Sequence, residues 1–348
     1  MKALTFTGIQ NISYESIPDP EILSSTDVII RVKRCAICGS DLHVYYGREQ
    51  GIDHHTAMGH EFTGEVVDVG RDVKSLRKGD QVMSPFTTNC GKCFYCLRGL
   101  TCRCVNSQLF GWVENGNGLH GGQSEFIRVP MADGTLVKIP EGITTDEALM
   151  MGDILSTGFY CAKQAHVKPD ETHVVIGLGP VGLMAVIGAK HYGSERLYAV
   201  DTVPERLAMA KKFGAITIDA SKENAIGKIK EVTQGRGADA VMEAVGSGGA
   251  GKLAYDLIRP GGIISAVGVC TDERLSFSPT QAYNKNITYT VGRCPARAMM
   301  DELTPFVQDR KADFTSIITH RMSLKDGVKG YDIFANKKDH CLKVVLEP

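Results

Sequence analysis

The sequence predicts an α/β protein of two domains: a doubly wound parallel sheet attached to a smaller-element, β-rich domain. Three observations predict it. The chain has 348 residues, where about 150 per domain is usual. Its first 150 residues are short apolar strands broken by Gly, Asn and Pro clusters. After about Pro169, apolar strands alternate with helical stretches, the pattern of a parallel sheet covered on both faces.

In the first region, Val28–Val32 and Gly64–Val69 read as strands bounded by turn residues, and Gly116-Asn117-Gly118 as a turn. In the second, His173–Ile176, Arg196–Val200, Ala215–Ile218, Ala240–Val245 and Gly262–Val269 read as strands, with helices over Pro204–Phe213 and Glu223–Thr233. From about Arg293 the chain returns to short mixed elements and ends in the strand-like run Cys341–Leu346.

Composition excludes several function classes. Apolar residues make up 43%, enough for two hydrophobic cores, and 39 Lys+Arg against 40 Asp+Glu leave a net charge of −1. That balance disfavours nucleic acid or an anionic membrane surface as partner. The longest apolar run, Val174–Ala189, is interrupted by Pro180 and four glycines and is too short to span a membrane. Met1-Lys2-Ala3-Leu4-Thr5 lacks the apolar core and cleavage site of a secretory leader. The expectation is a cytoplasmic protein, so the 11 cysteines read first as metal ligands rather than as a disulfide framework.

Cys90-x2-Cys93-x2-Cys96-x7-Cys104 puts four thiols in one short loop. Zn²⁺ favours four thiolates in a tetrahedron, and a set filled entirely by protein leaves no open position, so this zinc is expected to be structural. Redox-active CxxC pairs are the alternative, but the thioredoxin-like context they need is missing. Cys102 lies in the same loop and competes with Cys104 for the fourth place. Phe94, Tyr95 and Leu97, with few basic neighbours, do not suit a nucleic-acid ribbon.

A second set is mixed. Cys38-Gly39-Ser40-Asp41-Leu42-His43 and Gly59-His60-Glu61 bring thiol, imidazole and carboxylate from two nearby segments. A catalytic zinc needs three protein ligands and one open position; Cys38 and His60 can give two.

A third pattern is Val174-Val175-Ile176-Gly177-Leu178-Gly179-Pro180-Val181-Gly182, a strand running through G-x-G-x-x-G into a helix. Gly177 allows the tight turn, Gly179 lets backbone approach a pyrophosphate, and Gly182 permits close helix packing, with Pro180 and Val181 completing the loop. The helix N-terminus then faces the phosphates. Asp201 closes the next strand, 19 residues after Gly182. Its carboxylate would accept both ribose hydroxyls and repel a 2′-phosphate, so NAD is expected over NADP. Arg206, one turn further, can approach the adenosine ribose and soften that preference.

The stretch Gly59-His60-Glu61-x2-Gly64-x5-Gly70-x2-Val73 resembles the zinc signature of the zinc-dependent medium-chain alcohol dehydrogenases. The Cys38–His43 segment, the 2-2-7 cysteine spacing and the glycine motif are similar to that family in order and spacing. The resemblance covers nearly the whole chain. It implies a GroES-like irregular β-barrel catalytic domain, residues 1–153 and 293–348, interrupted by a Rossmann domain at 154–292, with the active site in the cleft between them. It implies Cys38 and His60 as catalytic zinc ligands and Asp153 as the third. Many members carry Cys at that place, and the acidic residue resembles the bacterial secondary-alcohol and polyol branches. Two zinc ions per chain and NAD follow from the same resemblance.

The remaining roles follow from it with their alternatives. Glu61 either coordinates transiently or only shapes the field. Asp41 accepts a hydrogen bond from a ligating imidazole, or else serves as a turn or helix cap. Ser40 relays the substrate proton through the cofactor ribose to His43, the general base. Thr157 and Val269 back the nicotinamide. Lys343 stands near the pyrophosphate, or else is an ordinary surface lysine on an edge strand. Phe86 and Trp112 line an aromatic substrate pocket, or Trp112 only packs. The implied reaction is reversible hydride transfer between a primary or secondary alcohol and NAD. Alternatives are the same chemistry on formaldehyde, a polyol or L-threonine, or a catalytically idle nucleotide- or metal-binding regulator. The partner is a small alcohol or carbonyl compound, with no nucleic acid or membrane, and self-assembly is expected, a tetramer before a dimer.

Overall fold

The computed structural model describes residues 1–348 and divides into two compact units, Met1–Ser156 with Pro295–Pro348, and Thr157–Cys294.

The first unit is built on a seven-stranded sheet. Its long strand Val28–Ile37 pairs antiparallel with Phe62–Val69, Phe126–Val129 and the C-terminal strand Lys343–Glu347. Lys343–Glu347 is not an edge. It lies between Val28–Ile37 and the parallel strand Ile318–Ser323, with Val344 opposite Ile37. Register shifts interrupt the pairing of Val28–Ile37 with Phe62–Val69 and of Ile318–Ser323 with Lys343–Glu347, as at β-bulges. Leu4, Ile30, Ile37, Phe62, Phe110, Ile127, Tyr331 and Leu346 are buried in one core cluster against this sheet.

The second unit is a six-stranded, wholly parallel sheet. Across it the strands run Ile216–Asp219, Arg196–Asp201, Thr172–Ile176, Ala238–Glu243, Ile258–Ala266 and Thr288–Val291. Numbered along the chain, that is order 3-2-1-4-5-6, the dinucleotide-binding order that puts a crevice beyond the carboxyl end of its first strand. Helices Pro180–His191, Pro204–Lys212, Ala225–Val232 and Gly248–Leu257 alternate with the strands. Val174, Val200, Ile218, Val241 and Ile264 form the core. The strand read from sequence over Gly262–Val269 starts earlier, at Ile258, and stops at Ala266. No helix is long and apolar enough to cross a membrane.

Candidate active site

The short strands of the first unit bring a ligand-rich cluster together. Cys38 follows the end of Val28–Ile37, and His60 and Glu61 immediately precede Phe62–Val69, its antiparallel neighbour. Asp153 follows the helix Thr145–Met151, whose start is held by a capping box between Thr144 and Glu147. The ligand atoms of Cys38, His60, Glu61 and Asp153 all lie within 4.8 Å of one another. One Asp153 oxygen is 3.3 Å from Cys38 Sγ and 3.3 Å from His60 Nε2. All four side chains are buried.

These residues fit a divalent cation. Burial alone would strip charge from His60, but Asp41, Cys38 and Asp153 outweigh it and hold its pKa well above the ordinary value. Positive charge is therefore favoured at this spot. Burial pushes the Cys38 thiol up to about 11, with Asp153 and Glu61 adding to it. For Asp153, burial is outweighed by His60 and Lys343, which hold the carboxyl at about 2. Glu61 keeps one oxygen, Oε2, buried without a hydrogen-bond partner. Thiol, imidazole and carboxylate are ordinary zinc donors.

Asp41 makes contacts on two sides. Its Oδ2 accepts the Cys38 backbone N–H at 2.9 Å, a local turn contact. Its Oδ1 lies 3.2 Å from His60 Nδ1, so the imidazole turns Nε2 towards Cys38 and Asp153. Ser40 precedes the one-turn helix Asp41–Tyr45, and its Oγ is 3.2 Å from His60 Nε2. His43 is half-buried on that helix. Burial pulls its pKa below the usual histidine range, against the Glu49 carboxylate, and its Nδ1 has no partner. Phe86 is buried with its ring edge-on to His60, centroids 6.4 Å apart. Trp112 packs against the core of the first unit and donates its indole N–H to Glu114 at 3.3 Å.

Lys343 requires a correction. It is neither on a surface nor available to a pyrophosphate: it is fully buried, with Nζ 2.6 Å from Glu61 Oε1 and 3.1 Å from the Ile37 carbonyl. An inner strand carries it there, and both contacts occupy the ammonium. Glu61 is the reason a buried lysine survives: opposite charges this close outweigh desolvation of the ammonium.

The four cysteines of the loop form a separate group, again with ligand atoms within 4.8 Å. Cys104, not Cys102, completes it. Backbone N–H groups of Cys96 and Val105 point at Cys93 and pull its thiol down to about 6. Cys104 Sγ accepts from the backbone N–H of Cys90 and Asn106. None of the 11 cysteines forms a disulfide.

In the second unit the glycine motif follows Thr172–Ile176 and opens the helix Pro180–His191. Gly177 has φ +81°, and a Cβ there would meet Val245 at 2.2 Å. A Cβ on Gly182 would strike the Gly177 carbonyl at 1.7 Å. A Cβ on Gly179 meets nothing nearer than Arg206 at 4.0 Å, the open approach that a pyrophosphate requires. Asp201 Oδ2 accepts the Leu178 N–H at 2.6 Å and Oδ1 the N–H groups of Thr202 and Val203, so it also ties the strand end to the loop. Arg206 Nη1 is 3.8 Å from Asp201. Thr157 is buried in the helix Ile154–Gln164, and Val269 is 41% exposed just beyond the fifth strand, its carbonyl against Gly246.

Comparison with known proteins agrees with this anatomy. The family profile of the alcohol dehydrogenase GroES-like domain matches residues 24–141, and that of the zinc-binding dehydrogenases matches 180–309. Zinc-type alcohol dehydrogenase B of Aspergillus flavus is 40% identical, covering 96% of this chain and 78% of its own. A zinc-type alcohol dehydrogenase-like protein of Bacillus subtilis is 37% identical over all of both chains. Among solved structures, an alcohol dehydrogenase of Thermus sp. ATN1 superposes with a TM-score of 0.93 at 34% identity, covering 100% of this chain and 99% of that one.

Proposed function

Because the chain belongs to the zinc-dependent medium-chain alcohol dehydrogenase family, an oxidoreductase family, we propose that it transfers hydride reversibly between a primary or secondary alcohol and NAD. The observation that carries this reading is the convergence of Cys38, His60 and Asp153 around one point, with Asp41 turning the imidazole towards it. Zinc would supply Lewis acidity that draws a hydroxyl pKa towards neutrality and polarises the carbonyl in reverse. Cys38 and Asp153 bring the negative charge that balances a divalent cation, and His60 brings a neutral nitrogen. Ser40 accepts the alcohol proton, and His43, kept neutral at pH 7 by its burial, is the base that takes it on. Cys90, Cys93, Cys96 and Cys104 hold a second, structural zinc.

Gly179 lets the backbone approach the pyrophosphate, Gly177 makes the turn and Gly182 the close packing, with Pro180 and Val181 in the same loop, and Thr157 and Val269 back the nicotinamide. Asp201 selects NAD: it takes the ribose hydroxyls and repels a 2′-phosphate, while its ion pair with Arg206 draws that cation away from phosphate recognition. Phe86 forms an apolar wall suited to small or medium alcohols. A tetramer in the cytoplasm completes the reading, with light scattering as the check on assembly.

The test is NADH formation across a panel of short alcohols, with and without chelator. The reading expects alcohol-dependent NADH, abolished by chelation and restored by Zn²⁺. A rate indifferent to chelation, or one seen only with NADP, would contradict it.

A further inference from the structure

Four buried side chains, three of them outside any ligand set, form one continuous chain of polar contacts ending on a metal-site histidine. Tyr331, on the helix Gly327–Ala335, donates its hydroxyl to Gln123 Oε1 at 2.8 Å. Gln123 Nε2 donates to Asp41 Oδ2 at 3.2 Å and to the Ala36 carbonyl at 3.0 Å. Asp41 Oδ1 meets His60 Nδ1 at 3.2 Å. Tyr331 and Gln123 are fully buried, Asp41 is 4% exposed and His60 8%.

The polarity of this chain has only one solution. An amide offers two N–H donors and one carbonyl acceptor. The two oxygens facing Gln123 Nε2, on Asp41 and Ala36, can only accept, so Nε2 must face them and Oε1 must face Tyr331. Oδ2 of Asp41 is then occupied by Gln123 and by the Cys38 N–H, which leaves Oδ1 for His60. A carboxylate that only accepts requires Nδ1 of His60 to carry hydrogen, and a neutral ring so fixed presents the Nε2 lone pair. The room for Gln123 is itself built in: Gly59, next to His60 and at φ +88°, would set a Cβ 2.4 Å from Gln123 Cγ.

We propose that Gln123 and Tyr331 are positioning residues for the catalytic metal, orienting His60 through Asp41 without touching the metal themselves. The inference rests on the assignment of His60, Cys38 and Asp153 as zinc ligands. Gln123→Met keeps the length and removes every hydrogen bond; Tyr331→Phe removes only the terminal donor. Outer partners of this kind tune metal affinity by about 10–100-fold, so Gln123→Met is expected to weaken zinc binding at this site by at least ~10-fold and Tyr331→Phe by a few-fold.

The experiment measures zinc dissociation by chelator competition, with the zinc of the cysteine loop as internal reference, together with the visible spectrum of the Co²⁺-substituted protein. Ile12→Ala, a substitution in the same core that removes no hydrogen bond of the chain, is the control for lost stability. Weaker binding and an altered Co²⁺ spectrum in both variants, with Ile12→Ala unchanged, support the proposal. Should Gln123→Met fail to fold, Tyr331→Phe carries the test alone. Wild-type affinity in Tyr331→Phe with an unaltered spectrum, or an equal loss in Ile12→Ala, overturns it. A wild-type chain whose zinc content is indifferent to His60→Ala overturns the ligand assignment beneath it, a different result from normal zinc with silent variants.

Discussion

The two cysteine-containing ligand groups solve one problem in opposite ways. The loop of Cys90, Cys93, Cys96 and Cys104 is local and open: its ligands fall within fifteen residues, and exposed Phe94 and Leu97 flank it. Backbone N–H groups of the loop pull the Cys93 thiol down, while burial pushes those of Cys96 and Cys104 up. The Cys38, His60 and Asp153 group is dispersed and buried. Burial and two carboxylates oppose thiolate at Cys38, and oriented side chains from as far as Tyr331 hold the imidazole. A self-contained loop suits a fixed structural ion, whereas a site assembled by the whole first unit can hold three ligands in place and leave a fourth position for substrate.

The sharpest way to break this comparison is to remove one ligand from each group. Asp153→Ala should lower kcat by about 10³-fold or more, since the metal supplies several kcal/mol of charge stabilisation, and should leave the zinc of the cysteine loop in place. Cys93→Ala should spare catalysis: a fall in Tm on the order of 5–10 °C, with kcat of the surviving folded protein near wild type. Calorimetry beside steady-state rates checks both, and an exchange of the two outcomes would reverse the roles.

His43 sharpens the dispersed site. Burial lowers its folded pKa, so the neutral base persists below the ordinary value of 6.5 and is lost only as pH falls through the lowered one. The acid limb of kcat/KM for alcohol oxidation is therefore expected below pH 6.5. His43→Gln should remove that limb and slow oxidation by about 10²-fold. A limb at or above 6.5 would assign the base elsewhere.

The smallest effect concerns the glycine motif, local like the cysteine loop. Asp201→Ala should raise the NADP/NAD ratio of kcat/KM by about 10-fold. The ratio is the useful readout, because loss of the Leu178, Thr202 and Val203 bonds slows both cofactors together. An unchanged ratio would remove Asp201 from cofactor selection.

Local order also decides what could be read before the structure. The alternation of strands and helices after Pro169 and the glycine turn depend on neighbouring residues, and the parallel sheet follows them closely. The clustering of the loop cysteines was legible from spacing for the same reason, whereas the choice of Cys104 over Cys102 needed the folded loop. Asp153 lies 115 residues from Cys38, and only the family resemblance pointed to it. Lys343 was misread because its partner Glu61 is 282 residues away, just ahead of a strand that lies across Val28–Ile37 from Lys343 in the folded sheet. Gln123 and Tyr331, 208 residues apart, carried no local signal at all beyond the glycine pair preceding Gln123.

The most direct test of the central claim, two independent metal sites of different build, is zinc counted per chain in the wild type, Asp153→Ala, Cys93→Ala and the double variant. The account predicts two, one, one and none. One zinc in the wild type, or a count that neither substitution lowers, would contradict it.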